Sequence, residues 1–381
     1  MITTDLLEFH AFCLADTGTR LRQYEAALAR VVQPGDTVVD IGAGLGVLSV
    51  LACRAGATRV YAIESSPITA LGEEVVRAAG LSDRITFIRQ TSFDVNLPVP
   101  ADSIIADIHS TFGLQEGGLS ALVDARKRFL KPGGVLIPTS LELAVAPAEA
   151  PDAYKRCVDV WQRPGTELDL SLVRTAAANL PHPARLRVDQ LLGPMTPLAV
   201  VDLALTSVAK IGGRVTVTAA RAGLVHGICG TFTSTLAPGI TLCNAPGDSA
   251  SSNFAHSFFP LSRPMPVEAG DRIELTVEGF DSAEFRWRVA ATASRSGLEH
   301  RAEQSTMFSW PLSPFDLRRE RNDYRPGLTD RGRLELELLA QLDGTRTVAA
   351  LRSWLDEHGS DVLPSSRARA ALLKETIARC G

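Results

Sequence analysis

The sequence predicts a parallel α/β domain, then an antiparallel β domain, then a small helical module. Three observations carry that order. Strands and helices alternate with short connections to about residue 140; short β-rich runs separated by Gly, Pro and Asp follow to about residue 298; charged, helix-periodic sequence closes the chain. At 381 residues the chain exceeds one ordinary core, which fits several domains. Its 45% apolar content and mean hydropathy of +0.08 describe a globular protein rather than a disordered one.

Residues 1–34 read as amphipathic helix: Leu21, Tyr24, Leu28 and Val31 recur at helical spacing, and Pro34-Gly35 ends the pattern. In 35–140, TVVDIG (37–42), RVYAIE (59–64), RITFIRQ (84–90), SIIADI (103–108) and VLIP (135–138) read as strands. VLSVLACRAG (47–56), ITALGEEVVRAAG (68–80) and Gly118–Leu130 read as the helices between them, and KPGG (131–134) as a turn. Such alternation gives a parallel sheet covered by helices. From 141 to 298, ELAVA, AVVDLAL, GRVTVTAA, LVHGICGTFTST, RIELTVEG and FRWRVAAT read as an antiparallel sandwich or barrel. One helical excursion, from PDAYKRCVDVWQRPG to about Leu192, interrupts them. Residues 299–381 read as a Pro-bearing linker to about Arg325 followed by a helical module, RGRLELELLAQL and TVAALRSWLDEHG.

Several function classes recede on composition. A net charge of −4 argues against a nucleic-acid-coating protein, while it suits a cationic acceptor. Six cysteines without a C-x-x-C pair suggest neither a zinc cage nor a disulfide framework, so reduced thiols and no metal are expected. The N-terminus lacks the basic and apolar regions of a secretory signal, and no apolar run reaches membrane-span length. A cytoplasmic protein is the expectation.

The strongest motif is Asp40-Ile41-Gly42-Ala43-Gly44-Leu45-Gly46, placed after a buried strand and before a helix. Gly42, Gly44 and Gly46 let the backbone turn sharply and approach a ligand at a helix N-terminus. Asp40 would repel a pyrophosphate but suits the ammonium of a methionyl group, so the motif points to S-adenosylmethionine rather than a dinucleotide. Glu64, ending the next strand, is placed to accept hydrogen bonds from ribose hydroxyls. Thr91, Ser92 and Phe93 follow the third strand, either bordering an adenine or serving as plain loop residues. Arg20 either pairs with the methionyl carboxylate or is a solvated helix-face arginine.

The stretch VVDIGAGLGVLSVLACRAGATRVYAIE resembles the donor motif of the protein arginine methyltransferases, and the likeness runs to about residue 296. It implies a divergent bacterial-type class I methyltransferase. Helices at 1–34 would cover the donor, 35–140 would be a Rossmann-like domain, and 141–298 a β-barrel acceptor domain. A dimerisation arm at about 154–192 would make a homodimer. In such a dimer Tyr154, Val158, Trp161, Leu168 and Leu170 would be buried against the partner.

The family's acceptor loop carries two glutamates that clamp a guanidinium. Here the loop is Ala106–Glu116, with Asp107 and Glu116 on those positions, and Glu116 also near a probable helix start. Ser252–Ile273 resembles the stretch bearing the family's Thr-His-Trp loop, but Ser252, Asn253 and Phe254 stand there instead. His109 and His256 are candidates to replace the missing histidine, against the plainer reading of structural histidines. Some relatives in bacterial natural-product pathways methylate free arginine or small guanidino compounds. The expected acceptor is therefore a small-molecule guanidino group, ahead of arginine in a peptide or protein. A different O- or N-methyl acceptor and a catalytically idle regulator remain as alternatives. The C-terminal LDGTRTVAALRSWL lies outside this likeness and resembles small winged-helix-like adaptors of peptide-modifying systems.

Overall fold

The computed structural model describes residues 3–380 apart from 16–18, 163–167, 208–209, 249–251, 253, 282, 312 and 320. The chain divides into two compact units, Met1–Trp310 and Pro311–Gly381. The N-terminal segment forms two helices, α1 (Thr4–Ala15) and α2 (Arg20–Val31). On α2 the helical spacing buries Tyr24, Ala27 and Leu28 completely.

The α/β layer then runs β1 (Thr37–Ile41), α3 (Val47–Ala55), β2 (Arg59–Ile63), α4 (Thr69–Ala78), β3 (Ile85–Ile88) and β4 (Ala101–Ala106). A two-residue hairpin follows, β5 (His109–Ser110) and β6 (Gly113–Leu114), then α5 (Gly118–Phe129) and β7 (Leu130–Ile137). The parallel sheet has the order β3-β2-β1-β4-β7. Its central strand β1 is buried on both faces, as a strand covered on both sides must be. Strand order reverses beside β1, so a crevice opens at its carboxyl end. KPGG is not a free turn but an outward bulge inside β7. Ala101 pairs with Leu130 and Ser103 with Val135, and Lys131 Nζ holds Asp102 Oδ1 at 2.7 Å.

The second layer comprises β8 (Ser140–Ala148), α6 (Pro151–Cys157), α7 (Ser171–Ala178), β9 (His182–Ala184), β10 (Thr196–Asp202), β11 (Lys210–Thr218), β12 (Gly223–Ala237), β13 (Ile240–Cys243), β14 (His256–Val267), β15 (Arg272–Phe280), β16 (Glu284–Thr292) and β17 (Glu299–Ser305). Among the described residues the strands do not close into the barrel that the resemblance implied. Among the described residues the ladders make two antiparallel sheets, β10-β8-β12-β14-β9 with β13 on β12, and β11-β15-β16-β17. The sheets share an aromatic core in which buried Trp287 donates its Nε1–H to Pro260 O at 2.7 Å and packs on Phe259. Truncating such a residue costs about 3–5 kcal/mol.

Two further expectations change. Residues 299–305 are strand β17 rather than linker: Glu299, Arg301 and Glu303 are exposed on an edge strand, which hides its periodicity under charge. In the arm, Tyr154 and Val158 pack on their own β layer, with Tyr154 Oη donating to Ser262 O at 3.0 Å, while Trp161, Leu168 and the neighbouring Leu172 are exposed and Leu170 is half-buried. The second unit holds α8 (Pro314–Arg319), α9 (Asp330–Leu339), α10 (Val348–His358) and α11 (Ser366–Cys380). Leu334, Leu338, Leu351, Leu355, Leu372 and Leu373 form its core, and Thr329 and Thr347 cap α9 and α10. Among the described residues no helix is long and apolar enough to cross a membrane.

Candidate active site

The loop after β1 is built on backbone. Gly42, Gly44 and Gly46 have φ of +70°, +53° and +75°, values that strain any residue with a Cβ. Gly42 N and Ala43 N donate to Ile63 O at 2.9 and 3.1 Å, tying the loop to the end of β2. A Cβ on Gly46 would stand 2.9 Å from the Phe87 ring, and one on Gly44 would collide with the His10 ring. Below the loop, Asp40 is buried and accepts from Ser49 Oγ at 2.7 Å. Burial pushes its carboxyl up to about 7; the Ser49 bond opposes the rise, and the charges of Asp107 and Glu64 add to it. A buried carboxylate short of a cation is suited to an ammonium. Glu64 Oε2 accepts from Gly44 N at 3.1 Å and Oε1 from Ser66 N at 2.8 Å. Each oxygen keeps a lone pair for a hydroxyl donor.

A cleft of about 610 Å³ opens above this loop. Phe9, His10, Cys13 and Leu14 of α1, Arg20 and Tyr24 of α2, Asp40, Gly42, Gly44 and Asp107 are among its walls. Sequence reading missed His10 and Cys13, because α1 has no clean apolar stripe and exposes Leu7, Phe9, Phe12 and Leu14. With an ammonium partner, hydroxyl acceptors, a cationic Arg20 and a glycine cradle, the residues fit S-adenosylmethionine. Ser92 is buried and Phe93 exposed; neither lines the cleft, and Thr91 Oγ1 caps its own turn by donating to Asp94 at 2.7 Å.

The acceptor-side loop is a tight hairpin. His109 pairs with Leu114 and Ser110 with Gly113, and Gln115 N donates to Ile108 O at 2.7 Å. Asp107 precedes this hairpin and Glu116 follows it, in the turn that Gly118 N closes by donating to Gln115 O at 2.9 Å. The two acids differ in surroundings. Asp107 forms an ion pair with Arg20 and faces His109 Nδ1 at 3.1 Å. Burial would raise its carboxyl; the His109 bond and the Arg20 charge outweigh that and hold it below the usual carboxylate range. Glu116 is exposed and has no partner among the described residues. The start of α5 beside it is already capped, since Asp281 Oδ1 accepts from Ser120 N and Asp281 O from Gly117 N, both at 3.1 Å.

His109 is fully buried, stacked on Phe232 at 5.1 Å and near Tyr24 and Phe254. Tyr24 Oη donates to Ala106 O at 3.2 Å and lies 3.4 Å from His109 Nδ1. His109 Nε2 is buried without a partner. His256 is placed elsewhere in the network: its Nδ1 accepts from Leu186 N at 2.9 Å, and burial, aided by the charge of Arg185, brings it down to about 4. At the Thr-His-Trp positions, Phe254 packs on Phe232 and lies 5.6 Å from the Arg20 guanidinium, Ser252 is buried, and Asn253 lies outside the described residues.

A family model described as ribosomal protein L11 methyltransferase (PrmA) matches residues 21–141. The fold is similar to that of the Trypanosoma brucei PRMT1 enzyme–prozyme heterotetrameric complex with AdoHcy. That likeness has a TM-score of 0.68 at 19% identity and covers 78% of this chain and 97% of the other. Fold and site together define a class I methyltransferase that uses S-adenosylmethionine. The chain is 32% identical over 289 residues to an arginine N(omega)-methyltransferase of Streptomyces achromogenes subsp. streptozoticus, covering 74% of this chain and 78% of that one. It is also 27% identical to protein arginine N-methyltransferase 2 of Xenopus tropicalis over 76% of this chain and 70% of that one. The chain belongs to the protein arginine methyltransferase family.

Proposed function

We propose that the protein transfers a methyl group to a guanidino nitrogen of free arginine or a small guanidino compound. The observation that carries this reading is the pair of carboxylates, Asp107 and Glu116, that flank the two strands of the β5–β6 hairpin. A guanidinium stays protonated in water, with a pKa above about 12, and its lone pairs are delocalised. Two carboxylates can hold it by paired hydrogen bonds, draw its positive charge away from one nitrogen and aim that nitrogen. S-adenosylmethionine supplies an electrophilic methyl group on a sulfonium. Asp40 would hold its ammonium, Glu64 its ribose hydroxyls and Arg20 its carboxylate, with the glycine loop beneath. Glu116, exposed and unpaired, is the carboxylate free to receive both the acceptor and the proton released at transfer. His109 orients Asp107, and His256 braces the β layer.

The name of the Streptomyces relative supports arginine itself as acceptor. Arginine within a peptide or protein is the second reading, favoured by the name of the Xenopus relative. Mass spectrometry of reactions offering free arginine, a guanidino-compound panel and an arginine-rich peptide tests both. Methylation of free arginine at least tenfold faster than of the peptide is expected; the reverse ranking transfers the function to peptides, and no product from any arm ends the guanidino reading. The exposed Trp161, Leu168 and Leu172 of the arm fit burial in a homodimer, and a monomer by sedimentation at micromolar concentration would remove that assignment.

A further inference from the structure

Asn244 follows β13, is fully buried, and lies outside every motif considered so far. It takes the next position on the β12–β13 ladder, where Thr233 pairs with Cys243: Asn244 N donates to Phe232 O at 3.2 Å. The return bond does not come from its own carbonyl, which faces His256. Its side-chain Oδ1 accepts from Phe232 N at 2.8 Å instead. Both protons of the side-chain Nδ2 are then spent on loops distant in sequence, one on Thr111 O at 3.0 Å and one on Ala255 O at 2.8 Å.

Each of these three contacts reaches the acceptor side. Thr111 is in the turn of the β5–β6 hairpin whose open end carries Asp107 and Glu116. Ala255 adjoins Phe254, whose ring lies beside Arg20 and Phe232. Phe232 is the ring on which His109 stacks. The surroundings offer one N–H and two carbonyl oxygens, which only a carboxamide of this length satisfies at once. The amide orientation follows from the same count, because a flipped group would face two carbonyls with an oxygen.

We infer that Asn244 is a positioning residue for the acceptor: through Thr111 and Ala255 it fixes the carboxylate hairpin and the Phe254 loop relative to one another. The inference rests on the reading of Asp107 and Glu116 as acceptor ligands. A carboxylate held by a hairpin anchored at its turn keeps its aim, and small errors of aim are costly in group transfer.

Asn244→Asp separates this role from support of the fold, since it keeps the acceptor for Phe232 N and loses the donors to Thr111 and Ala255. Asn244→Ala removes all three side-chain bonds. With free arginine and the arginine-rich peptide as probes, Asn244→Asp is expected to lower kcat tenfold or more. S-adenosylhomocysteine affinity by calorimetry should stay within twofold. Hydrogen exchange should rise in 108–116 and 252–256 together, while 37–46 and 59–66 keep their protection. If neither probe is methylated by the unmodified protein, the guanidino reading fails, and the exchange measurement still decides on Asn244. Unchanged exchange in either loop overturns the inference, as does a general loss of protection across β8, β12 and β14, which would make Asn244 a residue of the core alone.

Discussion

The proposed donor side and the proposed acceptor side of this protein are built in different ways. The donor side is nearly continuous chain: one strand, one glycine turn and one helix, with Glu64 from the next strand fastened to Gly44. Its polar groups are held in place before any ligand arrives. The acceptor side is assembled from pieces far apart in sequence, the hairpin at 107–116, the loop at 252–256, and α2, which brings Arg20 onto Asp107. Preorganisation by backbone tolerates few substitutions but needs little outside help. Preorganisation by long-range polar contacts depends on each contact. The two halves should therefore fail differently when perturbed.

The largest effects should show that contrast. Gly44→Val forces a β-branched residue into φ of +53° against His10, and is expected to abolish S-adenosylhomocysteine binding by calorimetry while the protein stays folded. Unchanged affinity would mean the donor lies elsewhere. Glu116→Gln should do the opposite, keeping donor affinity while turnover falls by about a hundredfold, because charge and aim are lost together, and Asp107→Asn should lose turnover to the same degree. The double variant should be little worse than either single one. Near-normal rates in both single variants would take the acceptor out of the guanidino class.

A smaller effect should distinguish the halves by pH. The Asp40 carboxyl is raised to about 7 because its ionised form is buried. In the ligand-free protein that shift favours the neutral acid, so its contribution to stability is present at low pH and is lost as the pH rises through about 7. Donor binding has the opposite sign, since an ammonium selects the carboxylate. Affinity for S-adenosylhomocysteine should fall as the pH drops below about 7, by up to about tenfold per pH unit. Ser49→Ala removes the bond that lowers this pKa and should move the break to higher pH. A flat profile from pH 5 to 8 would show that Asp40 does not meet the ammonium.

The same contrast governs what could be read from sequence. Asp40, the glycines and Glu64 were legible because strand, turn and helix signals are local. The spacing of Asp107 and Glu116 was visible too, although the two-residue hairpin between them was not. Arg20 on Asp107, Asn244 on Thr111 and Asp281 on α5 were illegible, since each joins residues that only tertiary packing brings together. Asp281 illustrates the limit, being a non-glycine residue at φ of +49° in a β turn with no motif around it. The KPGG bulge and β17 were misread because glycine and charge dominate local patterns. The barrel was carried over from the family, whereas the strand ladders form two open sheets. Tyr154 and Val158 could not be told from the exposed arm residues, because helical spacing records an apolar face without naming what covers it.

The smallest expected effect is the one that tests what Glu116 is for. An acid just ahead of a helix is favoured by the helix dipole alone, and that bland role would also explain its place in the sequence. In the structure the N-terminus of α5 is capped from the β layer by Asp281, through both its carbonyl and its carboxylate. Asp281→Ala should therefore cost about 1 kcal/mol in denaturant unfolding, the usual size of a lost cap, with donor affinity unchanged. Glu116→Gln should cost only a few tenths of a kcal/mol in stability, because its partial dipole contribution is exposed and screened. The two variants thus trade places between assays: one is read in stability, the other in turnover. Were Glu116→Gln to destabilise as much as Asp281→Ala while methylation continued at its normal rate, Glu116 would belong to the helix and not to the acceptor.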